Sequence, residues 1–275
     1  MIKGSLGEHQ LVHTVLAGPF AVTSVSKGLC VLTFIDDFLC YTWIYFLDHK
    51  NEVFDKFLAF KSHVEKKSRK AIKILHMDNE SRYVNSRLRD FCELEGIHLQ
   101  NLIAFIPQKT NVAAMRIRTL NSMENFMIQA KSLDPSLEVE AIISANHILN
   151  RSPHNVLDGK NPFEAWCSKK PLVKHFRVFN YPAWENISSR ECKAPPPSPC
   201  TFIGYEESVN AYRLMDPETH EIFIERNVHF EESSPSLSSN PLHTSYIVET
   251  DSDNSDSDSI DSDMWDPIDR CRTRS

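Results

Sequence analysis

Few residues in this 275-residue chain have types and spacings that could support chemistry. His9 and His13 stand four residues apart, a spacing used in zinc sites, but the sequence has no C-x-x-C to complete one. The seven cysteines are scattered and odd in number, which predicts free thiols in a reducing, intracellular compartment. We therefore expect no zinc, and we expect Cys40, Cys92 and Cys167 to be buried as small apolar residues rather than nucleophiles.

The first 150 residues alternate between strand-like and helix-like patterns. β-Branched and aromatic residues favour three early strands, with a hairpin between the second and the third. Two further strands and four helices follow in mixed order, which indicates an α/β fold. The predicted strands are LVHTVL, CVLTFID, YTWIYFL, AIKILHM and GIHLQNLI. Three of the predicted helices are 51–66, 86–95 and 136–149. The fourth is predicted from an apolar stripe of Met115, Leu120, Met123, Phe126, Met127 and Ala130.

The second half of the chain changes character at a proline-rich segment. Residues 188–199 include three consecutive prolines, which favour extended geometry over the interior of a helix or strand. We interpret this segment as a boundary. The short strand-like runs CTFIGY, AYRLMD and HEIFIERNVHF follow it, with a turn at Asp216-Pro217-Glu218-Thr219 between the last two. They predict a small β-barrel or meander.

Charge is divided unevenly along the chain. Residues 231–275 carry 11 acidic and 3 basic side chains, a net charge of −8. Because the whole chain has a net charge of −7, the first 230 residues carry +1. The tail is rich in Ser and Asp and poor in apolar residues, which predicts disorder. No apolar run approaches the roughly 20 residues that a membrane span needs, and we expect no membrane contact.

In this order, the motifs resemble the integrase core of copia-type retrotransposon Pol polyproteins. The matching segments are LVHTVLAGP, LTFIDDF, TWIYFL, HMDNESRY, IPQKTNVAAMRIRT, ILNRSP, GKNPFEAW, KKPLVKHFRVF, FIGY, AYRL and RNVHFEE. The resemblance implies an RNase H-like integrase catalytic core at residues 10–155, a mixed five-stranded sheet with flanking helices. It also implies an SH3-like β domain at 171–230, before the acidic tail at 231–275.

Cores of this family use three carboxylates to hold divalent metal ions, Mg²⁺ or Mn²⁺, for DNA integration. The resemblance assigns Asp78 to the second carboxylate and therefore to metal binding. The first position holds Val15. Because 35 residues separate the second and third positions, the third falls on Ala114. With two carboxylates replaced, we expect metal binding to be impaired and strand transfer to be absent.

Other acids in the sequence are poor substitutes for the missing ligands. Glu80 lies two residues beyond Asp78, and Asp36 lies on a neighbouring predicted strand. Glu124 is ten residues beyond Ala114, about 15 Å along a helix, which is too far. Because metal sites need tight geometry, we do not expect these acids to restore the site.

Nucleic-acid binding can outlast the loss of catalysis, because phosphate contacts need only positive charge and position. The resemblance places Lys109, Arg116 and Arg118 where the family meets DNA, and it implies homo-oligomers. A second basic cluster, Lys66, Lys67, Arg69 and Lys70, is interpreted as a solvated helix end. Two alternatives stay open: a non-catalytic scaffold or interaction protein derived from a transposon, and the product of a decaying pseudogene. Losses of glycine fit such decay, as where Asn180 follows Val178-Phe179.

Overall fold

The computed structural model of the protein describes residues 10–20, 30–77, 86–101, 111–185, 199–207 and 209–230. Several sequence predictions concern other parts of the chain. Those that lie outside the described residues are His9, Asp78, Glu80, Lys109, residues 188–198 of the proline-rich segment and the acidic tail at 231–275.

The first half of the chain forms a mixed five-stranded sheet. Its strands are β1 (Leu11–Ala17), β2 (Cys30–Asp36), β3 (Thr42–Leu47), β4 (Ile74–Met77) and β5 (His98–Asn101). The order across the sheet is β3-β2-β1-β4-β5. The hairpin partners β1, β2 and β3 pair antiparallel, whereas β4 and β5 extend the sheet in parallel from β1. The five predicted strands and their hairpin are confirmed.

Helices cover both faces of this sheet, which explains why every residue of β2 is buried. The helices are α1 (Val53–Ser68), α2 (Ser86–Leu94), α3 (Asn111–Gln129), α4 (Glu138–Arg151) and the short α5 (Pro162–Cys167). On one face, the ring of Phe34 stacks on Phe60 of α1 with 4.2 Å between ring centroids. On the other face, Val31 packs with Leu120 of α3 and Val139 of α4.

The apolar stripe predicted along α3 is only partly buried. Leu120 is buried and Met123 and Met127 are half-buried, as expected of a core-facing side. Met115 and Phe126, however, are 59% and 78% exposed. Helical spacing rotates these two residues away from the sheet, so the stripe combined two different sides of the helix.

The second half of the chain forms a separate antiparallel sheet. Its strands are β6 (Tyr181–Glu185), β7 (Pro199–Glu206), β8 (Ala211–Met215), β9 (Ile222–Glu225) and β10 (Val228–Phe230). They lie in the order β10-β6-β7-β8-β9. Sequence analysis missed β6, because Pro182 in a five-residue run weakens the strand signal.

The position of β6 corrects the boundary drawn at the proline-rich segment. β6 precedes that segment and yet pairs with both β7 and β10, which follow it. The proline-rich segment therefore connects two neighbouring strands of one sheet. Just before β6, Asn180 has a φ of 56°, the left-handed conformation that suits glycine best and that Asn tolerates.

Helix α4 joins the two sheets by packing against β7. The backbones come close at Gly204, where an added Cβ would lie 3.0 Å from Oγ of Ser144. The Ser144 hydroxyl donates to the carbonyl oxygen of Ile203 at 3.3 Å. A small residue is needed at position 204 because α4 and β7 approach so closely. Within the described parts of the chain, no helix is both long and apolar enough to cross a membrane.

Candidate functional site

Strand β1 and helix α3 bring together Val15 and Ala114, the two positions that the resemblance assigns to missing carboxylates. Val15 lies on β1 and Ala114 on the first turn of α3, and both line a cavity of about 480 Å³. We call it the β1–α3 cavity. Its lining residues are His13, Thr14, Val15, Ala113, Ala114, Ile117, Arg118, Asn121, Ser122 and Asn125.

The lining of the β1–α3 cavity contains no carboxylate among the described residues. Arg118 is the charged side chain of this set, and it has no ion pair or hydrogen bond to any other described residue. Three- and four-residue spacing places Arg118 on the same side of α3 as Ala114 and Asn121. The described wall of the cavity is therefore polar and positively charged.

Asp78, the carboxylate that the resemblance retains, lies outside the described residues. It directly follows Met77, the last residue of β4, and Met77 is the register partner of Thr14 on β1. The metal-binding role of Asp78 stays a prediction.

Asp36 is occupied by the turn that follows β2. Its carboxylate is buried and accepts hydrogen bonds from the backbone N–H of Phe38 at 2.9 Å and of Leu39 at 2.6 Å. Breaking these bonds would leave buried donors unsatisfied, so Asp36 acts in the turn and does not line the cavity. The neighbouring Asp37 lies 3.0 Å from Nε2 of His13.

His13 lines the cavity and is 1% exposed. Its Nε2 pairs with Asp37, but its Nδ1 is buried and has no hydrogen-bond partner among the described residues. Glu124, by contrast, does not line the cavity. Burial and, to a smaller extent, Glu138 raise the pKa of Glu124, which makes it a weaker anionic ligand than an ordinary glutamate.

The position of Arg116 corrects its assignment as a DNA contact. Arg116 is 3% exposed and lies on the core side of α3, opposite Arg118. Its Nε donates to Oγ1 of Thr42 at 3.2 Å and its Nη2 to Oδ1 of Asn150 at 2.8 Å. Burial lowers the pKa of the guanidinium to about 10. Arg116 thus ties α3 to β3 and α4 and does not reach the surface.

The basic cluster at the end of α1 lies on the other face of the sheet from the β1–α3 cavity. Within it, Lys67 is held by packing, since its Nζ lies 4.2 Å from the ring centre of Trp166. Helix α1 ends at Ser68, and the following Arg69 has a φ of 55° and donates its backbone N–H to the carbonyl oxygen of Glu65. The cluster and the cavity therefore do not form one continuous surface.

The described residues offer few ligands for a divalent metal ion. No group of three or more His, Cys, Asp or Glu side chains suited to a metal occurs among them. The positions that should supply two of the carboxylates offer an aliphatic side chain and a methyl group instead. The described residues therefore do not fit a two-metal site.

The predicted burial of Cys40, Cys92 and Cys167 is confirmed, and each is a free thiol. Burial raises the pKa of Cys40 and of Cys92 to about 11, which keeps both protonated near neutral pH. Protonated, buried thiols are poor nucleophiles.

A second polar region, which sequence analysis missed, connects α4 with the other sheet. The buried His147 and His175 lie 2.8 Å apart at their Nε2 atoms, and Nδ1 of His147 lies 2.7 Å from Glu207. Arg151 also donates to Glu207 at 3.1 Å. Burial and then Arg151 lower the pKa of His147 to about 4.

Nearby, Arg213 contacts both carboxylate oxygens of the buried Glu140, at 3.1 and 3.2 Å. We call six side chains the polar junction: Glu140, His147, Arg151, His175, Glu207 and Arg213. In the sequence, the polar junction was indicated only by the polar residues that interrupt the apolar residues of α4. Beside it lies a larger cavity of about 710 Å³, between β3, α4 and the second sheet, away from Val15 and Ala114.

Comparisons with known proteins agree with this architecture. Residues 194–243 match the family described as the retroviral polymerase SH3-like domain. The chain is 31% identical over 225 residues to the retrovirus-related Pol polyprotein from transposon TNT 1-94 of Nicotiana tabacum, covering 81% of this chain and 17% of that protein. It is 27% identical over 214 residues to the corresponding polyprotein from transposon RE2 of Arabidopsis thaliana, covering 77% and 14%. The chain thus spans less than a fifth of the length of either relative.

Among solved structures, the chain is similar to the catalytic core domain of BIV integrase, with a TM-score of 0.41 and 16% identity. That match covers 58% of this chain and 95% of the other. The HTLV-2 integrase catalytic core domain, solved in complex with magnesium, has a TM-score of 0.42 and 14% identity, covering 57% and 96%.

The family match and the 31% identical relative define the class of protein: the chain belongs to the retrovirus-related Pol polyproteins and carries their SH3-like domain in its second half. Within this class, the chain is a homologue of the Pol polyproteins of copia-type retrotransposons, as its motifs predicted.

Proposed function

We propose that this chain is an integrase-derived nucleic-acid-binding protein that does not catalyse strand transfer. The observation that carries the proposal is the β1–α3 cavity, where Val15 and Ala114 face the same space. In the family, carboxylates at these positions would share metal ions with Asp78. Their joint location supports the assignment of both positions.

The physical argument concerns charge. Two divalent ions need several hard oxygen ligands around them, and the family supplies three carboxylates. With Asp78 alone, the local carboxylate charge is −1 instead of −3. One carboxylate does not offset the repulsion between two dications or the cost of removing their water, so the ions are not held in place.

Strand transfer on labelled oligonucleotides, with Mg²⁺ or Mn²⁺, tests the loss of catalysis. The chain as it stands is compared with a Val15→Asp, Ala114→Glu double variant, and a Val15→Asn, Ala114→Gln variant is the control of similar shape. We expect the unmodified chain and the control to be inactive. Activity in the unmodified chain would overturn the proposal, and activity in the acidic variant alone would support it.

Nucleic-acid binding is the retained part of the family role. Arg118 is exposed on α3, and Lys109, outside the described residues, stays a proposed contact. Binding of a fluorescent DNA duplex should weaken steeply as salt rises, because phosphate contacts release counterions. We also propose that the chain forms homo-oligomers. Light scattering of the full chain measures its oligomeric state and tests this proposal.

The scaffold alternative rests on the acidic tail, which carries a net charge of −8. An acidic tail competes with nucleic acid for basic surfaces and can attract basic protein partners. Replacing the acids of residues 249–263 with their amides in the full chain separates the two functions. Tighter DNA binding in that variant favours the nucleic-acid role, whereas unchanged DNA binding with loss of a protein partner favours the scaffold.

A further inference from the structure

Strand β3 forms one edge of the first sheet, and part of its outer side is open. At Thr42 that side is filled by helix α4, because Oδ1 of Asn150 accepts from the Thr42 N–H at 3.1 Å and Nδ2 of Asn150 donates to its carbonyl oxygen at 2.8 Å. Alternate residues of an antiparallel strand turn their backbone groups to the same side, so those of Ile44 and Phe46 also point outwards. No described residue forms a hydrogen bond with these groups. Four backbone groups of β3 are therefore available to another strand.

The sequence of β3 gives this open edge none of the usual protection. Natural proteins shield an edge strand with charges, proline, a bulge or a very short length, because an open edge pairs readily with other chains. Strand β3 has six residues, TWIYFL, without charge or proline, and its pairing with β2 is regular. The opposite edge of the sheet, β5, has four residues and reads HLQN. The edge of β3 therefore needs a cover more than that of β5 does.

A groove runs along this edge and leaves an open volume beside it. It is the cavity of about 710 Å³ beside the polar junction, and we call it the β3 groove. Residues 41–46 form one wall. The remaining lining includes side chains of the polar junction, which are paired with one another, and the apolar Ile143 of α4 and Ile222 and Ile224 of β9. Open backbone groups beside apolar side chains suit an extended peptide that adds a strand to the sheet.

We propose that residues 244–250 of this chain add to the edge of β3 as an extra strand. This segment, TSYIVET, belongs to the acidic tail and lies outside the described residues. It contains Tyr246, Ile247 and Val248, the only run of three apolar residues in the tail. Aromatic and β-branched residues favour strands, and strand alternation directs Ile247 to one side of the sheet and its two neighbours to the other. Pairing with β3 gives the segment up to four backbone hydrogen bonds.

The segment can reach the β3 groove from the end of the second sheet. Strand β10 ends at Phe230, and residues 231–243 connect it to the segment. Strands β10 and β9 are the two edges of the second sheet, about 19 Å apart over four strand spacings, and β9 lines the groove. Thirteen residues extend to about 43 Å, so the connection is long enough. Such a tether holds the segment at an effective concentration on the order of millimolar, which favours even weak pairing.

Hydrogen exchange of backbone amides in the full chain tests the proposal. An amide that donates to an added strand exchanges more slowly, and we expect protection of about ten-fold at Ile44 and Phe46. Ile247→Pro removes a backbone donor from the segment and disfavours a strand, so it should abolish that protection. Ile260→Pro, the same change elsewhere in the tail, is the matched control and should leave the protection intact. Neither substitution changes a described residue, and thermal melts confirm that both variants fold.

The outcomes decide whether the tail segment occupies the edge of β3. Loss of protection in Ile247→Pro alone supports the proposal. Loss in both variants, or fast exchange at Ile44 and Phe46 in the unmodified chain, overturns it. Protection that survives Ile247→Pro also overturns it: a rise with protein concentration assigns the edge to a second copy of the chain, and independence of concentration assigns it to another part of the same chain. DNA affinity enters none of these outcomes, so this proposal and the proposed function fail or stand separately.

Discussion

The β1–α3 cavity and the polar junction are both lined by polar side chains, but they differ in whether those side chains are paired with one another. In the junction, each of the six side chains has a partner, and Glu140 is fully buried against Arg213. In the cavity, the side chains of Arg118 and Asn121 have no partners among the described residues. Polar groups that satisfy one another hold a structure together, whereas unsatisfied groups at a cavity are available to a ligand.

The same contrast appears within a single helix. Arg116 and Arg118 are two residues apart on α3, yet one is buried with two partners and the other is exposed with none among the described residues. Identical side chains thus have different roles because the helix turns one towards α4 and the other towards the cavity. The following predictions test this division between structural and ligand-binding groups.

The largest effect is expected from Arg213→Ala in the polar junction. It leaves the Glu140 carboxylate buried without its bidentate partner, which should lower the free energy of unfolding by about 3–5 kcal/mol. Urea denaturation measures the change. Arg226→Ala, at an exposed arginine between β9 and β10, should cost less than about 1 kcal/mol. If both variants lowered the free energy of unfolding equally, the junction would stabilise the fold no more than an exposed arginine does.

Acid should weaken the junction next most strongly, through His147. Its pKa is about 4 in the fold and 6.5 ordinarily, so the unfolded chain takes up the proton first. Stability is fully present above pH 6.5 and is lost as pH falls towards 4, by on the order of 3 kcal/mol. Denaturation at several pH values measures this loss, and His147→Gln should flatten the curve in that window.

Glu207, the carboxylate that faces His147, also makes the fold less stable in acid, but at a lower pH than His147 does. Glu207 has a pKa lowered to about 2, despite the effect of burial, by the hydrogen bond and charge of His147 and by Arg151. The stability that Glu207 contributes is present above its ordinary pKa of 4.5 and is lost as pH falls towards 2. A pH profile unchanged by His147→Gln would assign the acid sensitivity to other groups.

A moderate effect is expected from Arg116→Ala. The substitution removes hydrogen bonds to Thr42 and Asn150 and should lower the free energy of unfolding by about 2 kcal/mol. DNA affinity, measured on the folded variant, should stay unchanged because the guanidinium does not reach the surface. A loss of DNA affinity without a loss of stability would restore Arg116 as a DNA contact.

The smallest effect on stability is expected from Arg118→Ala. This exposed side chain has no partner among the described residues, so the free energy of unfolding should change by less than about 0.5 kcal/mol. The same denaturation series measures it. A large destabilisation would mean that Arg118 has a structural partner. The cavity would then not differ from the polar junction in the pairing of its side chains.

Much of the fold could be predicted from local patterns. The strands of the first sheet and its hairpin follow from β-branched and aromatic runs, and α1 begins and ends within two residues of the prediction. The patterns failed at β6, where Pro182 hides a strand, and along α3, where Phe126 is exposed. In both places, pairing or packing with distant residues decides the outcome.

The candidate site was predictable in part for a similar reason. Motif order and the spacing from Asp78 assigned Val15 and Ala114 to the missing carboxylates, a prediction that depends only on the order of residues. The polar junction was not predictable, because its members come from α4, the following connection and the second sheet. Contacts between residues far apart in the chain leave little trace in local sequence.

The sequence by itself determined the order of the elements, the uneven charge and the presence of valine at position 15 and alanine at position 114, because these are properties of residue type and spacing. Only the tertiary structure decided that Val15 and Ala114 share one cavity and that Arg118, rather than Arg116, faces it. The reason is that the direction in which a helical side chain points has no meaning until the helix is packed against its neighbours.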